Sequence, residues 1–171
     1  MGDWGVTARQ SDSGLDYLHV AIEKCLKPIN FNYFDVKYIM ETLENHIIEK
    51  IRQENEPYVE DKERIQEYID ANFPHEYNTV ILLVSECLTE YHLKGKITLY
   101  DYEVETDREI FKFIYTDDVL DELFEKLHEM LDPEHWLYKA WFEDETREEW
   151  LSHMKEMCDS LSSLKGRKGH G

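Results

Sequence analysis

Apolar positions recur along most of this chain at three- and four-residue intervals, the spacing of one helical face. The first run carries Leu15, Leu18, Ile22, Cys25 and Leu26. Ser13 is placed to cap it with Asp16 as the reciprocal partner, and Pro28 ends it. A second run, from about Asp35 into the low fifties, puts Val36, Ile39, Met40, Leu43, Ile47 and Ile51 on one stripe, and Pro57 marks the break after it. Asp61 starts a short third helix with Ile65, Tyr68 and Ile69 inward. Phe73 and Pro74 are expected to close it, because the residue before a proline avoids helical backbone.

The segment NTVILLVSECLTEYHLKG predicts the central helix. Val80, Val84, Cys87, Leu88 and Tyr91 form a face, and Ile81, Leu82 and Leu83 widen it to most of the circumference. A helix apolar nearly all round wants neighbours on several sides. Gly95 supplies a left-handed ending. The period then changes: KITLYDYEV and EIFKFIY, rich in β-branched and aromatic residues, predict a β-hairpin near residues 96–115. Thr106 with Glu109 also fits a helix cap, so both readings stay open, with the hairpin preferred.

Thr116 introduces an amphipathic helix with Leu120, Leu123, Phe124, Leu127 and Leu131 aligned. In LDPEHW, Asp132 reads as a cap, Pro133 as the first helical residue and Leu131–Trp136 as a hydrophobic staple. A last helix carries Trp150, Leu151, Met154, Cys158, Leu161 and Leu164, and the run SSLKGRKGHG is expected to fray. The expected fold is mainly α: a single helical domain over residues 1–164, one small hairpin, and a flexible tail at 165–171.

Composition adds a strong field to this outline. The chain has 171 residues, with 38 acidic against 19 basic, a formal charge of −19. At 42% hydrophobic and 13% aromatic residues it is too apolar for a disordered acidic chain. Such a field repels nucleic acids and anionic membranes and attracts basic partners. The longest apolar run, Val80 to Val84, is too short to span a bilayer, and no basic start followed by an apolar run resembles a leader. Cys25, Cys87 and Cys158 lack paired spacing and sit in apolar helical patterns, so they read as reduced core thiols and the protein as cytoplasmic.

Few residues are arranged for chemistry. Glu125 and His128 share a helical face, but a di-iron carboxylate site needs that pair twice. The second histidine of a His-Glu-x-x-His helix starting at His75 would fall at Thr79. His46 and Glu49 have nothing nearby in sequence to complete a metal shell. Ser85, Glu86 and Cys87 lack a preceding nucleophile elbow, and Ser85 is expected to bond to the preceding helical turn. No metal, cofactor or catalytic residue is assigned.

The positive signal is charge density. Between Asp101 and Glu149 there are 18 acidic and 5 basic residues, a net of 5 − 18 = −13. A solvated helix face explains this, and so does a docking surface for a basic protein. The candidate interaction residues are Asp117, Asp118, Asp121, Glu122, Trp141, Phe142, Glu143, Asp144 and Glu145, with Trp141 and Phe142 as aromatic anchors.

The opening MGDWGVTARQSDSGLDYL resembles the start of a widespread bacterial family, the domain of unknown function numbered 4259. The matching residues are Gly2, Trp4, Gly5, Asp12, Gly14, Leu15, Asp16 and Leu18. The family's alanine-rich central helix is bulkier here, as ILLVSEC. The resemblance implies no reaction, cofactor or ligand. Relatives near toxin or defence genes point to an immunity- or antitoxin-like protein. Gly2 and Gly5 free the backbone around Trp4, so its indole is expected to plug against the first helix. The expected function is therefore a non-catalytic interaction module for a basic protein. The alternative is a small cofactor-independent enzyme whose polar site gathers Trp4, Asp12 and Asp16.

Overall fold

The computed structural model of the chain describes residues 7–140 and 144–166, without the side chains of Gln10, Asp144 and Glu145. The architecture is mainly α with small two-stranded sheets. A 3-10 turn, Ala8–Gln10, leads into helix α1, Asp12–Ala21, followed by a π-helical turn, Ile22–Leu26, and a second 3-10 turn, Lys27–Ile29. Helix α2 is Val36–Asn55 and α3 is Lys62–Lys94. Helices α4, Asp117–Met130, α5, Trp136–Ala140, and α6, Asp144–Leu164, complete the set.

Helix α3 organises the rest. Its 33 residues extend about 50 Å at the α-helical rise. It packs chiefly on α2 and α6, and also on α1 and α4, which is the multi-sided burial its ILLV stretch requires. Val80, Ile81, Leu83, Val84, Cys87 and Leu88 are all buried. The expected stop at Pro74 does not occur. Pro74 is exposed, so the carbonyl left without its N–H reaches water, while buried Ile65, Ile69 and Val80 hold both sides of the helix in register. Gly95 ends α3 with φ of 75°, and its amide donates to the Tyr91 carbonyl.

Helix α2 matches its sequence stripe residue for residue: all six predicted positions are buried, and Asp35 caps the helix by accepting from the Tyr38 amide. Helix α1 differs. Its cap is Ser11, not Ser13, and its inward side carries Gly14, Tyr17, Leu18 and Ala21. Leu15 is displaced to 37% exposure, because the contact face is centred on Gly14. Pro28 does not end a helix but sits in the first turn of Lys27–Ile29. Tyr68, expected inward, is also 37% exposed.

The hairpin is present. Strand β2, Ile97–Asp101, pairs antiparallel with β3, Thr106–Ile110, from Ile97 opposite Ile110 to Asp101 opposite Thr106. Thr106 therefore begins a strand rather than capping a helix. A second sheet of two-residue strands, β1, Phe34–Asp35, and β4, Phe113–Ile114, is parallel. It places the Phe113 ring between Phe34, at 4.5 Å, and Tyr91 of α3, at 4.4 Å.

Thr116 caps α4 through the Val119 amide, as expected. LDPEHW does not begin a helix: Asp132 accepts from the Glu134 amide in a turn, and His135 Nδ1 accepts from the Leu137 amide at 3.1 Å to open the short α5. Trp136 remains 41% exposed beside His75. Helix α6 buries Trp150, Met154, Cys158, Leu161 and Leu164, and runs through Ser162–Leu164 without fraying. Lys165 and Gly166, assigned to the tail, are tied down: the Gly166 amide donates to Asp117 and Lys165 pairs with Asp121 at 2.8 Å.

Candidate functional site

The acidic strip at the start of α4 divides into two. Asp117 and Asp121 are turned to the C-terminal end of α6 by the Gly166 amide and the Lys165 ammonium. Asp118 and Glu122 are exposed and carry no such contact. Trp141, Phe142 and Glu143 lie outside the described residues. Asp144 and Glu145 open α6 as backbone, with their side chains outside the description.

Glu122 belongs with α2 and α3. Tyr77 of α3 is half-buried, and burial, then Glu122, Glu44 and Glu41, hold its phenol far above the ordinary range. These carboxylates come from α4 and α2, and their charge acts on one phenol. None of the three forms an ion pair among the described residues, although Arg9, Lys27, Lys50, Arg52, Lys96, Lys126, Lys139 and Lys165 all do. The Tyr77 ring stacks on Phe73 at 5.0 Å. The result is an aromatic pair in a negative local field, whose carboxylates form no ion pair among the described residues.

A second polar centre lies where the N-terminal turn crosses α3. Glu86 is buried, with a side chain 2% exposed. It accepts from the Ala8 amide and, at 3.4 Å, from the Arg9 amide, while Arg9 Nε lies 3.7 Å from it. His153 of α6 approaches the same carboxylate at 3.8 Å. The Arg9 guanidinium donates to Glu90 at 2.9 Å, and Glu90 accepts from the Thr98 amide of β2. Burial pushes the Glu90 carboxyl up, but the Thr98 amide and Arg9 outweigh it and hold it below its ordinary value. Burial raises the adjacent Cys87 thiol to about 12, against the pull of Arg9. That thiol is not primed to attack. Ser85 Oγ is buried without a hydrogen-bond partner among the described residues, rather than bonded to the preceding turn, so no base there is hydrogen-bonded to it. This centre fastens four elements together, and sequence reasoning missed it. The available signal was a lone Glu inside ILLVSEC, which must find a partner if buried.

Asp12 and Asp16 are both exposed on α1. Gly2, Trp4 and Gly5 lie outside the described residues, so the plug expected of Trp4 does too. No group of three His, Cys, Asp or Glu side chains suited to a metal occurs among the described residues. No helix there is long and apolar enough to cross a membrane.

Two imidazoles give the protein a pH dependence. Burial lowers His46, with Lys24 and Lys50 adding to it. Burial also lowers His135, where Glu129 and Asp132 oppose the shift and His75 reinforces it. At these two sites the folded chain therefore binds fewer protons than the unfolded chain near neutral pH. The stability involved is present above the unfolded value of about 6.5 and is lost as pH falls through the lowered folded values. The melting temperature is expected to drop between about pH 7.5 and pH 5.5. In a His46→Gln, His135→Asn double variant, that drop shrinks.

Comparisons with protein-family models, with curated proteins and with solved structures return no match for this chain.

Proposed function

We propose that the protein is a non-catalytic interaction module that docks a strongly basic partner protein, in the manner of an immunity protein or antitoxin. The observation that carries this reading is the negative field of Glu122, Glu44 and Glu41 at Tyr77, whose ring stacks on Phe73, with none of the three carboxylates in an ion pair among the described residues. Carboxylates outside any ion pair among the described residues are open to a partner's Lys or Arg. A guanidinium both pairs with carboxylates and stacks on aromatic rings. The overall charge of −19 adds long-range steering toward such a partner.

The test is retention of a basic protein by the purified chain at low and high salt. One stoichiometric basic partner is expected. The Glu41→Lys, Glu44→Lys, Glu122→Lys variant should weaken its binding by at least about 100-fold, with unchanged thermal unfolding. Reversing the exposed Asp12 and Asp16 instead should leave affinity within about threefold. Equal losses from both variants would reduce the acidity to a general field and remove the docking face.

A further inference from the structure

A cleft at the junction of α1, α3 and α5 has no part in the docking face above. It encloses about 160 Å³. Leu82 and Leu137 supply its apolar lining, Trp136 and His75 an aromatic wall, and Ser13, Asn78 and Thr79 a polar edge. The Trp136 and His75 rings lie 4.6 Å apart, and the His135 ring stands 5.8 Å from the same indole. The side chains of Ser13, Asn78 and Thr79 are half-buried and form no hydrogen bond among the described residues. Polar groups with no hydrogen-bond partner among the described residues, gathered beside a 41% exposed indole, are open to a ligand.

The chemistry of the edge selects the ligand. Ser, Thr and Asn each offer both a donor and an acceptor, which matches hydroxyl groups, since these also do both. An ionic ligand would want a fixed countercharge. Glu76, the carboxylate of the cleft, is already engaged by the Tyr17 hydroxyl and by Lys50 at 3.8 Å. Trp136 and His75 are already in mutual contact, so no flat base can insert between them. A saturated ring can instead lay its C–H face against their wall. The volume is roughly half that of the smallest drug-sized pockets and suits one ring.

We infer that this cleft binds a neutral, hydroxyl-rich six-membered ring of monosaccharide size, held by Trp136 and His75 and oriented by Ser13, Asn78 and Thr79. The test titrates the full chain with D-glucose, D-galactose, myo-inositol and open-chain glycerol, following the indole and side-chain amide NMR signals. At least one ring polyol should shift the Trp136 and Asn78 signals saturably, and glycerol should not. Asn78→Ala is expected to weaken that binding by about tenfold with unchanged thermal unfolding. Trp136→Ala should abolish it. Absence of saturation by every ring polyol up to about 100 mM overturns the assignment, as does equal saturation in the Asn78→Ala protein. Neither result bears on the Glu41, Glu44 and Glu122 face, which the charge-reversal variant tests separately.

Discussion

Glu86→Ala is expected to lower the unfolding free energy by about 2–4 kcal/mol, measured by urea denaturation. The carboxylate is buried, and its loss strands the Ala8 amide and leaves a void beneath the N-terminal turn. The cost stays below that of breaking a fully buried ion pair, since Arg9 is 29% exposed and keeps Glu90. Glu86→Gln retains an acceptor for the Ala8 amide but not the charge facing Arg9, so it should fall near half the alanine value. Glu86→Leu separates packing from polarity: it fills the void yet leaves the amide unpaired, and should be no better than Gln. A change below about 0.5 kcal/mol for the alanine variant would mean the turn holds without the carboxylate.

Gly14→Ala sets two effects of opposite sign against each other. Helix propensity alone predicts a gain of about 1 kcal/mol inside α1. Sterics predict the reverse. A Cβ at Gly14 would lie 1.8 Å from the Ala8 carbonyl oxygen and 2.6 Å from its carbon, both backbone atoms. Relief requires moving the Ala8–Gln10 turn. That breaks the bonds of the Ser11 amide and hydroxyl to the Ala8 carbonyl and withdraws the Ala8 amide from Glu86. The clash wins, and a net loss of about 2–4 kcal/mol is expected. Both substitutions release the same turn, so the double variant should lose clearly less than the sum. Full additivity would show that Gly14 and Glu86 hold the chain independently.

What the sequence made legible follows from how many faces an element buries. Helix α2 buries one, and its six-residue stripe was readable in full. Helix α3 was read as two pieces because Pro74 is a local stop signal, whereas the burial that overrides it comes from α2 and α6. The hairpin was favoured on composition but left undecided at Thr106, a residue type that suits a strand and a cap equally. Asp117 and Asp121 read as free acids because Lys165 and Gly166 lie far along the chain. The field of Glu122, Glu44 and Glu41 at Tyr77 draws on three helices, and the cleft draws Ser13, Asn78 and Trp136 from three more distant places. Periodicity describes each helix alone, so groupings across helices left no trace in it. Glu86 is the exception: a carboxylate inside an apolar run already demanded a partner, though not which one.

The attachment of the N-terminal turn to Glu86 also orders the events of folding. Helices α2 and α3 are consecutive and meet by closing a short connection, so their pairing is entropically inexpensive and early. The Ala8–Glu86 contact closes 78 residues of chain and has no docking surface until α3 and β2 are in place. It therefore forms late and contributes little to the transition state. Its strength acts mainly on the rate of opening. The turn is a latch on an already assembled bundle, and the lifetime of the native state is set by a three-residue segment rather than by the long helices it secures.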